Sequence, residues 1–258
     1  QTRYLLLGNW RLTDLEGFVF CATLSLYAVH RIIALEKLKD LPPTTRFQTI
    51  ARRRLDIILY ALLAGAGSLY FYLQLPGWVQ VSALAPALFS VLYVLPVFRG
   101  RRRLRDFNYL KIFLVALVWT WVTVVLPAQQ ANLGGQFPTL LLGLQRFLFI
   151  FAITIPFDIR DLAVDARTKV RTLPGSVGLQ RARLLSLGLL VLAVGAALLL
   201  WRIDTYADPV FLAWSTSILT TGALIWGATP DRHDYYFSGL IDGTMILQAG
   251  LVYLFSCL

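Results

Sequence analysis

The chain is short of charge, and shortest of acid. Only 15% of its 258 residues are charged, 14 of them Asp or Glu, and it has two histidines, two cysteines and one methionine. Soluble proteins carry about 25% charged residues, so a water-facing shell on all sides is excluded. Cys21 and Cys257 stand near opposite ends of the chain, each inside an apolar segment, which excludes a disulfide framework and a thiolate metal centre. The sequence also lacks the alternating short strands of a β-barrel, a signal-peptide pattern, any repeat with a period of roughly 20–50 residues, and low-complexity tracts.

What is present is apolar: 57% of residues are hydrophobic and mean hydropathy is +0.66. Segments long enough to cross a hydrocarbon core about 30 Å thick recur at 15–33, 55–75, 80–98, 109–127, 138–157, 182–201, 208–227 and 236–257. The fold class expected is all-α: a polytopic membrane helical bundle of eight spans, with residues 1–258 forming one transmembrane domain. The net charge of +10 does not indicate nucleic acid, because the basic residues collect in alternate connections. Arg31, Lys37, Lys39, Arg46, Arg52, Arg53 and Arg54 fall in 31–56, Arg101, Arg102 and Arg103 in 99–111, and Arg160, Arg167, Lys169 and Arg171 in 160–183. By the positive-inside rule these connections are cytoplasmic, and a bacterial inner membrane is the simplest setting. The first complete span then runs inward from the uncharged side. That predicts one more helix ahead of it, and nine spans in the full protein.

The scarce acids are concentrated in the stretch IPFDIRDLAVDARTKVRTLPGSVG at residues 155–178, where Asp158, Asp161 and Asp165 fall at i, i+3 and i+7. On a helix these share one face. Asp161 and Asp165, like charges at i, i+4, cost an isolated helix roughly 0.2–0.5 kcal/mol. Three acids in a row at a membrane edge need a positive partner, and a hard divalent cation with oxygen ligands is the first candidate. Acids interleaved with Arg160, Arg167, Lys169 and Arg171 suit a diphosphate; a solvated loop of mixed salt bridges is the alternative. Thr172-Leu173-Pro174 is expected to end local helix, with Gly175 and Gly178 permitting tight turns. Arg146, beside Gln145, sits inside the fifth span about 18 Å before Asp158. It either faces an interior or snorkels to the outer interface. Asp242, early in the last span, is open in the same way: it either faces an interior or complements the helix dipole.

Asp158-x-x-Asp161-x-x-x-Asp165, followed by Thr-Leu-Pro and Gly, resembles the second aspartate-rich motif of the UbiA-type intramembrane prenyltransferases. The resemblance implies a nine-helix bundle with a cavity open to lipid. It also implies Mg²⁺ held by Asp158, Asp161 and Asp165, and transfer of an isoprenoid group from a diphosphate donor to a lipophilic acceptor. Residues 92–99, LYVLPVFR, resemble the family's Tyr-Ser-x-Pro-x-x-Lys segment, with Val94 in place of Ser. This implies Tyr93 and Arg99 as diphosphate contacts, joined by Lys169 and Arg171. The family's first motif, Asn-Asp-x-x-Asp or a variant, is missing: residues 25–40 read SLYAVHRIIALEKLKD, with Tyr27, His30 and Arg31 where acids belong.

The missing motif leaves two expectations open. His30 and Arg31 neutralise phosphate directly, an arginine doing so through two parallel hydrogen bonds, and the chain is an enzyme. Or the site has lost ionising power, His30 and Arg31 are an interfacial snorkelling pair, and the chain is an inactive UbiA-like subunit that binds lipid or scaffolds a membrane complex. A transporter or channel built on Arg146 and Asp242 is a third reading, but it lacks the pair of interrupted helices such folds carry. The 34 aromatic residues (16 Phe, 11 Tyr, 7 Trp) are assigned no catalytic role, since most in a membrane protein face lipid or form interfacial belts.

Overall fold

A computed structural model of the chain describes residues 1–37, 52–95, 97, 103–167 and 170–257. Among them the regular elements are helices, with no strand. In chain order they are α1 (Thr2–Leu7), α2 (Asp14–Lys37), α3 (Arg54–Gln74), α4 (Gly77–Val94), α5 (Leu110–Gln130), α6 (Phe137–Arg160), α7 (Leu162–Arg167), α8 (Leu173–Val177), α9 (Leu179–Arg202), α10 (Asp208–Trp226) and α11 (Tyr236–Ser256). Eight of these are long and apolar enough to cross a membrane, in the order read from the sequence. The chain is an integral membrane protein of the all-α polytopic class. One boundary shifts the acids relative to the membrane span. The fifth span, expected to stop at 157, continues to Arg160, so Asp158 lies in its last turn and not beyond it.

The chain divides into two compact units, residues 11–97 and residues 1–10 with 98–258. In the first, α2 begins with a capping box: the Glu16 carboxylate accepts the backbone N–H of Thr13 at 2.7 Å and its hydroxyl at 2.5 Å. α2 lies along α3 through small residues. A Cβ on Gly17 would sit 2.9 Å from the Phe71 ring, so any larger residue there would have to displace the ring, and Ser25 donates to the Ala61 carbonyl at 3.0 Å. The short turn into α4 is tied by Gln80, whose amide N–H groups reach the carbonyls of Tyr72 at 3.1 Å and Leu75 at 2.9 Å.

In the second unit, α6 packs against α5 and α9, and α10 packs against α9 and α11. Lipid offers no hydrophobic drive for helices to associate, so close backbone approach through small residues carries the packing. α9 buries Ala182, Ser186, Leu190, Ala193, Ala197 and Leu200, in steps of three and four, and turns Leu184, Val191, Leu192 and Leu199 outward. Large rings fill the remaining space, with Phe149 and Trp214 centred 5.9 Å apart. Proline inside a membrane helix frees a carbonyl that another group must satisfy. Pro156 of α6 has no N–H for the Ala152 carbonyl, and the Ser186 hydroxyl of α9 donates to it at 2.6 Å. Pro127 of α5 frees the Thr123 carbonyl, which accepts the Thr2 hydroxyl of α1, just after a π-helical segment at Trp121–Val125.

Candidate functional site

The acids meet a lysine. α5 and α6 run in opposite directions, so the first turn of one lies beside the last turn of the other. There the Lys111 ammonium donates to Asp158 Oδ1 at 2.9 Å and reaches Asp161 Oδ2 at 3.5 Å. The Asp158 side chain is only 2% exposed and Lys111 14%. Asp161, the residue that ends α6, is held in a fork by its neighbour Arg160, Nε to Oδ1 at 2.7 Å and Nη2 to Oδ2 at 3.1 Å. The same guanidinium lies over the rings of Phe157 and Phe237, at 5.2 and 5.9 Å, where cation–π attraction adds to the pairing. Two carboxylates and two cations are directly paired, with Asp165 and Arg105 adding a charge of each sign nearby, and the pairing offsets part of the cost of holding these charges away from water.

The electrostatics of the outer two acids differ. Burial pushes the Asp161 carboxyl up, but the hydrogen bond from Arg160 and the charges of Lys111 and Arg160 outweigh it and leave Asp161 below its ordinary value. Burial also raises Asp165. There Lys111 and Arg105 pull down only partly, while Asp158 and Asp161 push further up. The single helical face expected for the three acids is interrupted, since α6 ends at Asp161 and α7 starts afresh at Leu162.

A loop clamp sets the position of Lys111. The Arg171 N–H donates to the Asn108 side chain at 2.8 Å, the Tyr109 N–H donates to the Arg171 carbonyl at 3.1 Å, and the Tyr109 and Ser176 hydroxyls share a hydrogen bond of 2.7 Å. Tyr109 is left-handed, φ 58°, a conformation that costs a non-glycine residue roughly 1–2 kcal/mol. This turn aims α5 so that Lys111 enters beside α6. Thr172-Leu173-Pro174 does not end a helix, as expected from the sequence, but starts one. Pro174 sits in the first turn of α8, where its missing N–H would have no partner anyway, and Gly178 at φ +85° makes the step into α9.

Magnesium, implied by the resemblance, does not fit this arrangement. The place between Asp158 and Asp161 is filled by an ammonium, and Asp161 already receives a guanidinium on both oxygens. No group of three or more His, Cys, Asp or Glu is placed to hold a metal ion among the described residues. Of the expected diphosphate contacts, Arg171 is exposed and near the cluster through Asn108 and Tyr109. Tyr93, half-buried in the last turn of α4, belongs to the other unit. So do half-buried His30 and the exposed Tyr27 and Arg31 on α2. Arg99 and Lys169 lie outside the described residues. Sequence reading passed over Lys111, Asn108 and Tyr109. The available signal was that Lys111, the last of the basic residues in 99–111, falls just inside an apolar span, a position at which a charge faces protein more often than lipid.

Arg146 faces the interior and does not snorkel outward. It is 6% exposed and donates to the side-chain oxygens of Gln248 at 2.7 Å and Gln1 at 2.8 Å. Next to it, Gln145 accepts the Tyr206 hydroxyl at 2.6 Å. A cleft of about 620 Å³ lined by Trp201, Arg202, Asp204, Tyr206 and Asp208 opens at the far end of α9 from the acids, away from every candidate residue at the acid end.

These features define a membrane helical bundle with an acid-and-base cluster at one end of its central span. Among solved structures the chain is similar to a digeranylgeranylglyceryl phosphate synthase, a UbiA-type prenyltransferase, with a TM-score of 0.57 over 99% of this chain and 89% of that one. At 16% identity the likeness shows the fold alone. No family model and no curated protein matches the sequence.

Proposed function

We propose that the chain is a UbiA-type intramembrane prenyltransferase. It takes an isoprenoid diphosphate at the end of the bundle where α6 delivers Asp158 and Asp161, and passes the isoprenoid group to a lipophilic acceptor. The observation that carries this reading is a buried carboxylate cluster, with cations around it, in the last turn of a central span of a prenyltransferase fold. In the reaction the allylic C–O bond breaks and its electron pair leaves on the diphosphate. The acceptor supplies the pair for the new bond and sheds a proton. Lys111 and Arg171 are the cations suited to neutralising the departing charge, and the membrane supplies a water-poor path for the chain. The basic connections favour the cytoplasmic side of a bacterial inner membrane for this end. Magnesium enters this reading only with Lys111 displaced, and no step is assigned to it.

One observation favours a second reading: Asp158 and Asp161 are already satisfied by Lys111 and Arg160. A cluster that needs no ligand suits an inactive subunit that binds lipid or scaffolds a membrane complex. Purified protein incubated with farnesyl diphosphate separates the two. Diphosphate release in the presence of a lipid-extract acceptor is expected for the enzyme and absent from the subunit. Binding that is identical in wild type, Asp158→Ala and Asp161→Ala sinks the enzyme reading.

A further inference from the structure

We propose that Lys111 is the resident cation of the acid cluster. Its ε-ammonium takes the place of a divalent metal ion between Asp158 and Asp161, so the chain holds no metal there. A phosphate-bearing ligand at this end is then met by ammonium and guanidinium groups alone. The role of Lys111 stands by itself, while the phosphate-bearing ligand rests on the proposed prenyltransferase function.

The geometry is that of a tethered counter-ion. The 2.9 Å contact to Asp158 is a charge-assisted hydrogen bond, and the second contact bridges the ammonium to Asp161. A divalent ion would need those same carboxylate oxygens at its own much shorter coordination distances. To enter, it must expel an ammonium that the start of α5 holds in place. That ammonium would be left buried without its partners, which is strongly unfavourable. The lysine is held there from outside as well, because the Asn108–Tyr109 turn is tied to Arg171 and Ser176. Arg160 takes both oxygens of Asp161 from the other side, so both carboxylates already have cationic partners. The first aspartate-rich motif lacks its acids as well, with Tyr27, His30 and Arg31 in its place.

The test is a Mn²⁺ titration of the full chain in nanodiscs, read by electron paramagnetic resonance, with and without farnesyl diphosphate. Wild type is expected to bind no Mn²⁺ at the cluster in either condition, and so is Lys111→Arg. Lys111→Met and Lys111→Gln, which free Asp158 and leave Asp161 to Arg160 alone, are expected to gain one Mn²⁺ per chain that wild type does not bind, a rise in apparent affinity of at least about tenfold. A single Mn²⁺ bound by wild type, with or without the diphosphate, overturns the proposal. So does a folded Lys111→Met or Lys111→Gln that binds no more than wild type. The wild-type titration needs no variant and decides the matter even where both substitutions prevent folding. Farnesyl diphosphate binding that survives EDTA supports the metal-free reading. A complete lack of farnesyl diphosphate binding ends the prenyltransferase reading, and the titration without diphosphate still decides the role of Lys111.

Discussion

A half-buried cation beside α6, Lys111, and a buried one within it, Arg146, are treated in opposite ways. At the acid end Lys111 meets carboxylates, and each of Asp158 and Asp161 has a cation in direct contact. About 18 Å back along the same helix, Arg146 meets only amide oxygens, from Gln248 and Gln1. The first arrangement makes each charge depend on the others, so removing one exposes its partners to the low-dielectric interior. The second leaves a positive charge that neutral dipoles solvate, so removing it also removes a desolvation cost. The cluster of mutually dependent charges is the one suited to ligand chemistry, because a bound anion would enter as another member of the same balance.

Thermal unfolding in detergent tests this contrast. Lys111→Met is expected to destabilise most, by about 3–5 kcal/mol, because it strands the buried Asp158 carboxylate while Asp161 keeps Arg160. Arg146→Met removes two charged hydrogen bonds but also a buried charge, and is expected to cost only about 1–2 kcal/mol. Equal losses at the two sites would end the comparison. Tyr206→Phe, which deprives the Gln145 oxygen of its donor, is expected to cost about 1 kcal/mol.

The smallest effects lie in the pH dependence, where Asp161 and Asp165 should differ in sign. Asp161 is held below the ordinary carboxylate value of about 3.9. Its contribution is therefore complete above that value and is lost as pH falls through the folded-state value. Asp165 is raised, so the stability linked to it is complete below the ordinary value and is lost as pH rises through its folded-state value. Melting temperatures between about pH 3 and 7 should thus show a shallower acid-side fall for Asp161→Asn. Asp165→Asn should show a small gain toward neutral pH. The same sign in both variants would show that the two acids share one environment.

Much of the fold was legible. The eight spans follow from run length and apolarity. The acid cluster was visible as an electrostatic anomaly, three acids in a chain that has few. Its partner was not visible. Lys111 stands 47 residues before Asp158, and in the sequence it is only the last of a basic group. The role of Pro174 was misread because a proline that breaks a helix in the interior is accommodated in the first turn, and sequence alone did not say which position it held. The interior placement of Arg146 was open for the same reason: depth along a span is readable, but which face meets protein is not.

By itself the sequence determined that the chain lives in a membrane as a helical bundle, and that acid and base gather at one end of a central span. These follow from local quantities: apolar run length, charge placement and spacing. Only the tertiary structure decided what satisfies the acids. Lys111 reaches them because α5 and α6 lie antiparallel and the left-handed turn at Tyr109 aims the first turn of α5 at the last turn of α6. In the same way, the carbonyls freed by Pro127 and Pro156 find Thr2 and Ser186 on other helices. A buried charge or an unsatisfied carbonyl is a local demand, and its answer comes from whatever the packing brings within hydrogen-bonding reach.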